Sequence, residues 1–117
     1  MSQIWDIDSV KDAVFHPKAL DVIRTFPEEV RRELGQAIFD LQRGATVGMP
    51  LCRPMPSVAV GAEEIRIKDA SGVYRAFTYR KSKTGILIFH AFQKKTQKTP
   101  EHEIELGKKR LKELLND

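Results

Sequence analysis

Three strand-like segments between residues 64 and 92 constrain this chain more than anything else in it, because the links between them allow only antiparallel pairing. Residues 64–68 alternate Ile65 and Ile67 with Arg66 and Lys68, and residues 73–79 are rich in β-branched and aromatic side chains. Residues 86–92 form the most apolar run in the sequence. Asp69-Ala70-Ser71-Gly72 and Ser82-Lys83-Thr84-Gly85 supply turn chemistry between the three. This spacing predicts an antiparallel meander, and the apolar run 86–92 is expected to be a central strand of the sheet.

The rest of the chain reads as helices around that meander. Residues through Asp8 and Ser9 carry little pattern and suggest a loosely docked arm, while residues 11–15 suit a short strand ended by His16-Pro17. Pro17 fits the first turn of a helix that Phe26-Pro27 breaks. From about 27 to 43, Val30, Leu34, Ala37, Ile38 and Leu41 fall on one helical face, with Glu28 and Glu29 in the first turn and Arg43-Gly44 as the stop. Gly44, Gly48, Gly61, Pro50, Pro54 and Pro56 make the next stretch a long connector. The tail, about 99–116, reads as a helix with Thr99 as N-cap, Pro100 at its first position, and Gly107 on the apolar face where it permits close approach to a sheet. The order β-α-α-β-β-β-α predicts a single α+β domain over residues 1–117. The helical hairpin and C-terminal helix are expected on one face of the meander, leaving the other open.

Composition narrows the function. A chain of 117 residues is long enough to bury a core without staples, and its lone Cys52 excludes an intramolecular disulfide. No Cys/His spacing suits zinc, no apolar run spans a bilayer and no signal-like segment opens the chain, so a cytoplasmic protein without metal, cofactor or membrane partner is expected. Residues 1–59 carry 7 basic and 8 acidic side chains, whereas residues 60–117 carry 13 and 8. That asymmetry points the second half toward a polyanion.

Arg66 and Lys68 share a face opposite Ile65 and Ile67, either as an ordinary amphipathic strand or as phosphate ligands. Arg75 shares a face with Phe77 and Tyr79, opposite Tyr74 and Ala76; alternation alone does not say which face meets solvent. A cation amid so many apolar residues needs a partner. Phe92-Gln93-Lys94-Lys95-Thr96-Gln97-Lys98-Thr99-Pro100 leads from the central strand to the last helix with the composition of a phosphate clamp, and Tyr74, Tyr79 and Phe92 are candidates to stack bases. His90, inside an apolar strand, reads first as a core histidine; His16 and His102 have no companion at metal spacing. Glu63 and Glu64, being adjacent, cannot act as a pair.

Ile65-Arg66-Ile67, Val73-Tyr74-Arg75 and Phe89-His90-Ala91-Phe92-Gln93-Lys94-Lys95-Thr96-Gln97-Lys98-Thr99-Pro100 together resemble the RelE/ParE superfamily of toxins, and more narrowly its phage-derived HigB/Tad-like branch. Residues 26–34 and Arg53-Pro54-Met55-Pro56-Ser57-Val58 fit the same resemblance, which runs from about Phe15 to Leu115. The resemblance implies a RelE-like microbial RNase fold and a toxin that cleaves mRNA on the ribosome by 2′-OH attack on the adjacent phosphate, without metal. It implies catalytic roles for Lys95, Arg75, Lys94, Arg66 and His102, and RNA contacts from Lys68, Lys98, Gln97 and Tyr79. The proton acceptor stays open among His102, His90 and a lysine of depressed pKa. A cognate antitoxin of the helix-turn-helix HigA type is the implied partner. Two other readings share the fold: a ParE-like gyrase inhibitor and a non-catalytic nucleic-acid or partner-binding module.

Overall fold

The structure, a computed structural model, describes residues 11–45, 48, 51–81, 85–94 and 98–116. Strand β1 (Asp12–Phe15) leads into helices α1 (Pro17–Ile23) and α2 (Glu28–Gln42); β2 (Cys52–Pro54), β3 (Ala62–Asp69), β4 (Gly72–Lys81) and β5 (Gly85–Lys94) follow, then α3 (Glu101–Leu115). The turn at 82–84 and the arm at 1–10 lie outside the described residues.

Local chemistry explains the helix ends. Pro17 begins α1, and the Lys18 backbone N–H donates to His16 Nδ1 at 3.1 Å, so a histidine caps the helix. Helix α2 ends in a paired closure in which Gly44, at φ 86°, donates to the Leu41 carbonyl and Ala45 to the Asp40 carbonyl, both at 3.0 Å. Glycine takes that left-handed backbone without the steric cost of a Cβ. At α3 the expectation shifts by one residue. Pro100 itself is the N-cap, in extended backbone, and Thr99 makes no capping bond.

The five strands form one sheet in the order β1-β5-β4-β3-β2. The β3-β4-β5 meander is antiparallel as expected, and β1 joins β5 in parallel. The connector adds a short strand unforeseen in the sequence, β2, which pairs antiparallel with β3 at the sheet edge, where Pro54 is tolerated. Within the β4-β5 ladder Phe77 faces His90 while Thr78 faces Ile88, so Phe89 is the extra residue of a bulge.

The expected one-sided packing is overturned. One face, with Ile65, Ile67, Tyr74, Ala76, Ile86, Ile88 and Ala91, packs on Ile23 of α1 and Val30, Leu34, Ala37, Ile38 and Leu41 of α2. The opposite face, with Ala62, Phe77, Leu87, Phe89 and Phe92, packs on Leu111 of α3 and on Met55 and Val58 of the connector. The physical reason lies in β5, whose residues 85–92 are all buried. A strand apolar on both faces requires cover on both. Helix α3 reaches its face through Gly107, where a Cβ would lie 2.8 Å from Phe77 Cδ2 and 3.6 Å from Phe89 Cε2. A second tie holds its far end: His16 Nδ1 already accepts a bond, so Nε2 carries the proton and donates to Glu113 Oε1 at 2.7 Å.

Candidate nucleic-acid interface

Strand register builds the site. Across the α3 side of the sheet, Ala62 pairs with Tyr79, Glu64 with Phe77, Arg66 with Arg75 and Lys68 with Val73; on β5, His90 faces Phe77, Phe92 faces Arg75 and Lys94 faces Val73. Because alternate residues share a face, Arg66, Lys68, Arg75 and Lys94 all project to this side. The rows at one end are apolar and lie under α3 and the connector. The rows at the other end carry the cations.

One buried acid organises them. Glu64 is fully buried, and its Oε1 accepts hydrogen bonds from Arg75 Nη1 and, at 2.9 Å, from Arg53 Nε of the neighbouring strand. Arg75 is only 4% exposed, so this carboxylate is the partner its apolar setting demands. Burial pulls the Arg75 pKa down, and the Glu64 charge acts against that pull. Lys94 is also buried, and its ammonium is pulled below the ordinary lysine value, first by burial and then by Arg75. Glu64 Oε2, Arg66 Nε and Arg75 Nε are buried with no hydrogen-bond partner among the described residues. Beside them opens a hollow of about 390 Å³ lined by Leu51, Arg66, Lys68 and Val73. Lys68 is exposed at its rim and Arg66 half-buried. The arrangement offers cationic donors over an apolar floor, with a carboxylate holding the innermost guanidinium in place. Such a surface suits a phosphodiester with its attached sugar or base.

A second polar chain runs beneath the start of α3. His90 is 2% exposed; Arg110 Nη1 donates to its Nδ1 at 2.7 Å, which fixes the proton on Nε2, and Nε2 donates to Glu103 Oε1 at 2.7 Å. Burial lowers the His90 pKa despite the hydrogen bond to Glu103, and Arg110 lowers it further. The other Glu103 oxygen lies 3.2 Å from Nε2 of His102, whose side chain is 70% exposed. Next to this turn is a hollow of about 420 Å³ lined by Lys98, Thr99, Pro100, Glu101 and Ile104.

The residues expected from sequence are therefore distributed unevenly. Arg66, Lys68, Arg75 and Lys94 share one end of one face. His102 and Lys98 stand at the α3 entrance. Tyr79 lies at the other end of the same face, against the apolar cluster around Phe77. Lys95 and Gln97 lie outside the described residues. Of the proposed stacking aromatics, Tyr74 and Phe92 are corrected: both are buried. Tyr74 packs on Phe26 with ring centroids 4.7 Å apart and Phe92 on Phe77 at 5.6 Å, so neither offers a ring to a base. Sequence reasoning set Glu64 aside and did not weigh Arg53 or Glu103. The available signal was Arg75 itself, a cation in an apolar run with an acid within one hairpin of it. Among the described residues no group of three or more His, Cys, Asp or Glu side chains is placed to hold a metal ion, and no helix is long and apolar enough to cross a membrane.

Comparison with known proteins places this geometry in a family. Residues 21–112 match the family described as "Phage derived protein Gp49-like (DUF891)". Among solved structures, a mutant of the E. coli toxin RelE in the free state superposes with a TM-score of 0.51 at 17% identity, covering 90% of this chain and 98% of that one. At that identity the likeness is one of fold, and it bears out the RelE-like arrangement expected from the sequence. None of the curated proteins compared matches the chain.

Proposed function

We propose that this chain, which belongs to the phage-derived Gp49-like family, is the toxin of a toxin–antitoxin pair and acts as an endoribonuclease on mRNA. The observation that carries the reading is the row of cations from three adjacent strands, Arg66, Arg75 and Lys94, with Lys68 at the rim, set around one buried carboxylate beside an open hollow. That balance of charge favours an anion, and a hollow with an apolar floor favours one that carries a sugar and base.

In this reading Arg66 and Lys68 bind the scissile phosphate directly. Arg75, held by Glu64, adds positive charge from behind, fixed in place before substrate arrives. The ribose 2′-oxygen attacks phosphorus as its proton passes to a base. The bond to the 5′-oxygen breaks, and that oxygen takes a proton. The products are a 2′,3′-cyclic phosphate and a 5′-hydroxyl end. Lys94, with its lowered pKa, is suited to give the second proton. Lys95, Gln97 and Lys98 extend the contact along the RNA, and Tyr79 borders the same face. The protein works in the cytoplasm without metal or cofactor, HigB-like in acting on ribosome-bound mRNA, and a HigA-type helix-turn-helix antitoxin restrains it.

A brief pulse of expression followed by primer extension tests this. The expected result is growth arrest with new 5′ ends within coding sequence, lost in an Arg66→Ala, Lys68→Ala double variant that remains folded. Intact transcripts accompanied by DNA-damage signalling would replace the reading with gyrase inhibition. Intact transcripts with salt-sensitive RNA binding alone would reduce it to a binding module.

A further inference from the structure

The second hollow, of about 420 Å³ where the chain enters α3, has a lining unlike that of the cationic one. Pro100 and Ile104 form its apolar wall. Ile104 packs against the cluster that holds Phe77 and Phe92, so the hollow belongs to the face from which Arg66, Arg75 and Lys94 project. Lys98 and Glu101, both exposed, add one charge of each sign. Thr99 also lines the hollow; it is only 7% exposed, and its buried hydroxyl has no hydrogen-bond partner. That hydroxyl does not cap α3, and no other side chain does, while the Glu103 and Ile104 N–H groups turn back to the Pro100 carbonyl. An unmet buried hydroxyl costs stability, so one placed beside a hollow points to an occupant that completes it. Thr99 needs at most one staggered step about χ1 to turn its hydroxyl to that occupant. Because the two charges cancel, the lining selects no net charge. Apolar walls with one hydroxyl and one carboxylate suit a flat neutral ring that carries donors and acceptors on its edge. Lys94 and Lys98 are four residues apart, so their backbones lie within about 14 Å of each other. Lys94 in turn shares a row with Val73 and Lys68. Neighbouring nucleotides of one strand span such a distance.

We propose that this hollow is a nucleobase subsite, taking one unpaired base of the mRNA whose phosphate is held at Arg66 and Lys68. It deepens the ribonuclease reading above and rests on it. The base lies against Pro100 and Ile104. Thr99 Oγ1 donates to a ring nitrogen or carbonyl on the base edge, and Glu101 accepts from the amine or ring N–H beside it. Ile104, seated in the core cluster, makes the floor firm. A base held there in one orientation sets the register of the strand, and with it which phosphate reaches the cations.

Methyl NMR and affinity measurements on the purified full chain test it with RNA that cannot be cut. A short single-stranded 2′-O-methyl RNA has no 2′-hydroxyl to attack with, and a strand of equal length without bases keeps the phosphates alone. The Ile104 methyl resonances are expected to move with the first strand and stay in place with the second, which binds about 10-fold more weakly. Thr99→Val is expected to bind the base-bearing strand about 5-fold more weakly. Its urea midpoint should be no lower than the parent's, because the hydroxyl has no partner to lose in the free protein. Removing an acid from a surface that meets RNA tightens binding by itself or leaves it unchanged, as expected for Glu105→Ala, an exposed acid further along α3. Glu101→Ala should instead weaken binding by about 5-fold. Equal movement of the Ile104 methyls with both strands overturns the subsite. So does a Thr99→Val protein that binds like the parent or unfolds earlier, or a Glu101→Ala protein that matches Glu105→Ala. In each of those cases transcripts still cut after a pulse of expression leave the ribonuclease reading standing. A parent that cuts no transcript overturns that reading, whatever the methyls show.

Discussion

Replacing Glu64 by Gln is the sharpest test of the charged cluster, because it removes a charge and almost no volume. In the native protein Glu64 Oε1 serves both Arg53 and Arg75, but the two arginines differ in what they stand to lose. The Arg53 side chain is 33% exposed and can turn to water, so its share is small. Arg75, at 4%, cannot, and is left as a buried guanidinium without a counter-charge, next to Arg66 and Lys94. Breaking a buried pair from one side costs about 3–5 kcal/mol, and the Gln oxygen still accepts a hydrogen bond, so the lower end, about 3 kcal/mol, is expected. With a urea m-value of about 1.5 kcal/mol per molar, the unfolding midpoint falls by about 2 M. Urea unfolding followed by circular dichroism measures it. The companion is Glu64→Leu with Arg75→Met, which removes both buried charges and fills their space; it is expected within about 1 kcal/mol of the parent. A loss under about 1 kcal/mol for Glu64→Gln, or a double variant no better than the single, would refute the claim that Glu64 holds Arg75 in place.

Other outcomes follow from the same coordinates. Gly107→Ala gains about 1 kcal/mol in helix propensity yet is expected to destabilise overall, because its Cβ must displace the buried Phe77 ring. Gly107→Leu should cost about 3 kcal/mol by overpacking, and thermal unfolding of the two variants checks both. Burial pushes the Cys52 thiol up from 9.0 to about 12, so a thiol-reactive dye at pH 8 should label it only when the protein is unfolded. The unfolded thiol ionises near pH 9 and the folded one does not, so the stability contributed by Cys52 is full below pH 9 and drains away as pH rises toward 12; Cys52→Ala should lack that alkaline slope in urea unfolding. Lys68→Ala should weaken binding of single-stranded RNA and lower the slope of log K against log salt by about 0.7.

Much of this fold could be read from residue patterns because the relevant forces are local. The alternation at Ile65 and Ile67 marks a strand, Pro17 and Gly44 mark helix ends, and Gly107 on an apolar stripe marks a close approach. What the patterns concealed depends on register. Arg53 and Glu64 are eleven residues apart and meet only because β2 pairs with β3 as Arg53↔Glu64. Glu64 beside Glu63 looks like any solvated acidic pair until the strand turns one inward. The second covering layer, by contrast, is legible: the unbroken apolar run from Ile86 to Phe92 requires cover on both faces, and α3 supplies the one that the helical hairpin leaves open. Residue type alone singles out Arg66, Lys68 and Arg75, whereas the carboxylate that holds Arg75 is visible only in three dimensions.

The pairing of β1 with β5 has a consequence for how the molecule assembles. Val14 meets Leu87 across most of the chain, whereas β3, β4 and β5 meet through neighbouring turns. Local hairpins close quickly, while distant partners must wait for the chain entropy between them to be overcome. Strand β1 is thus among the last elements to find its seat. Until β5 has formed, β1 has no edge to join, and His16, just beyond β1, cannot reach Glu113 to clamp the final helix.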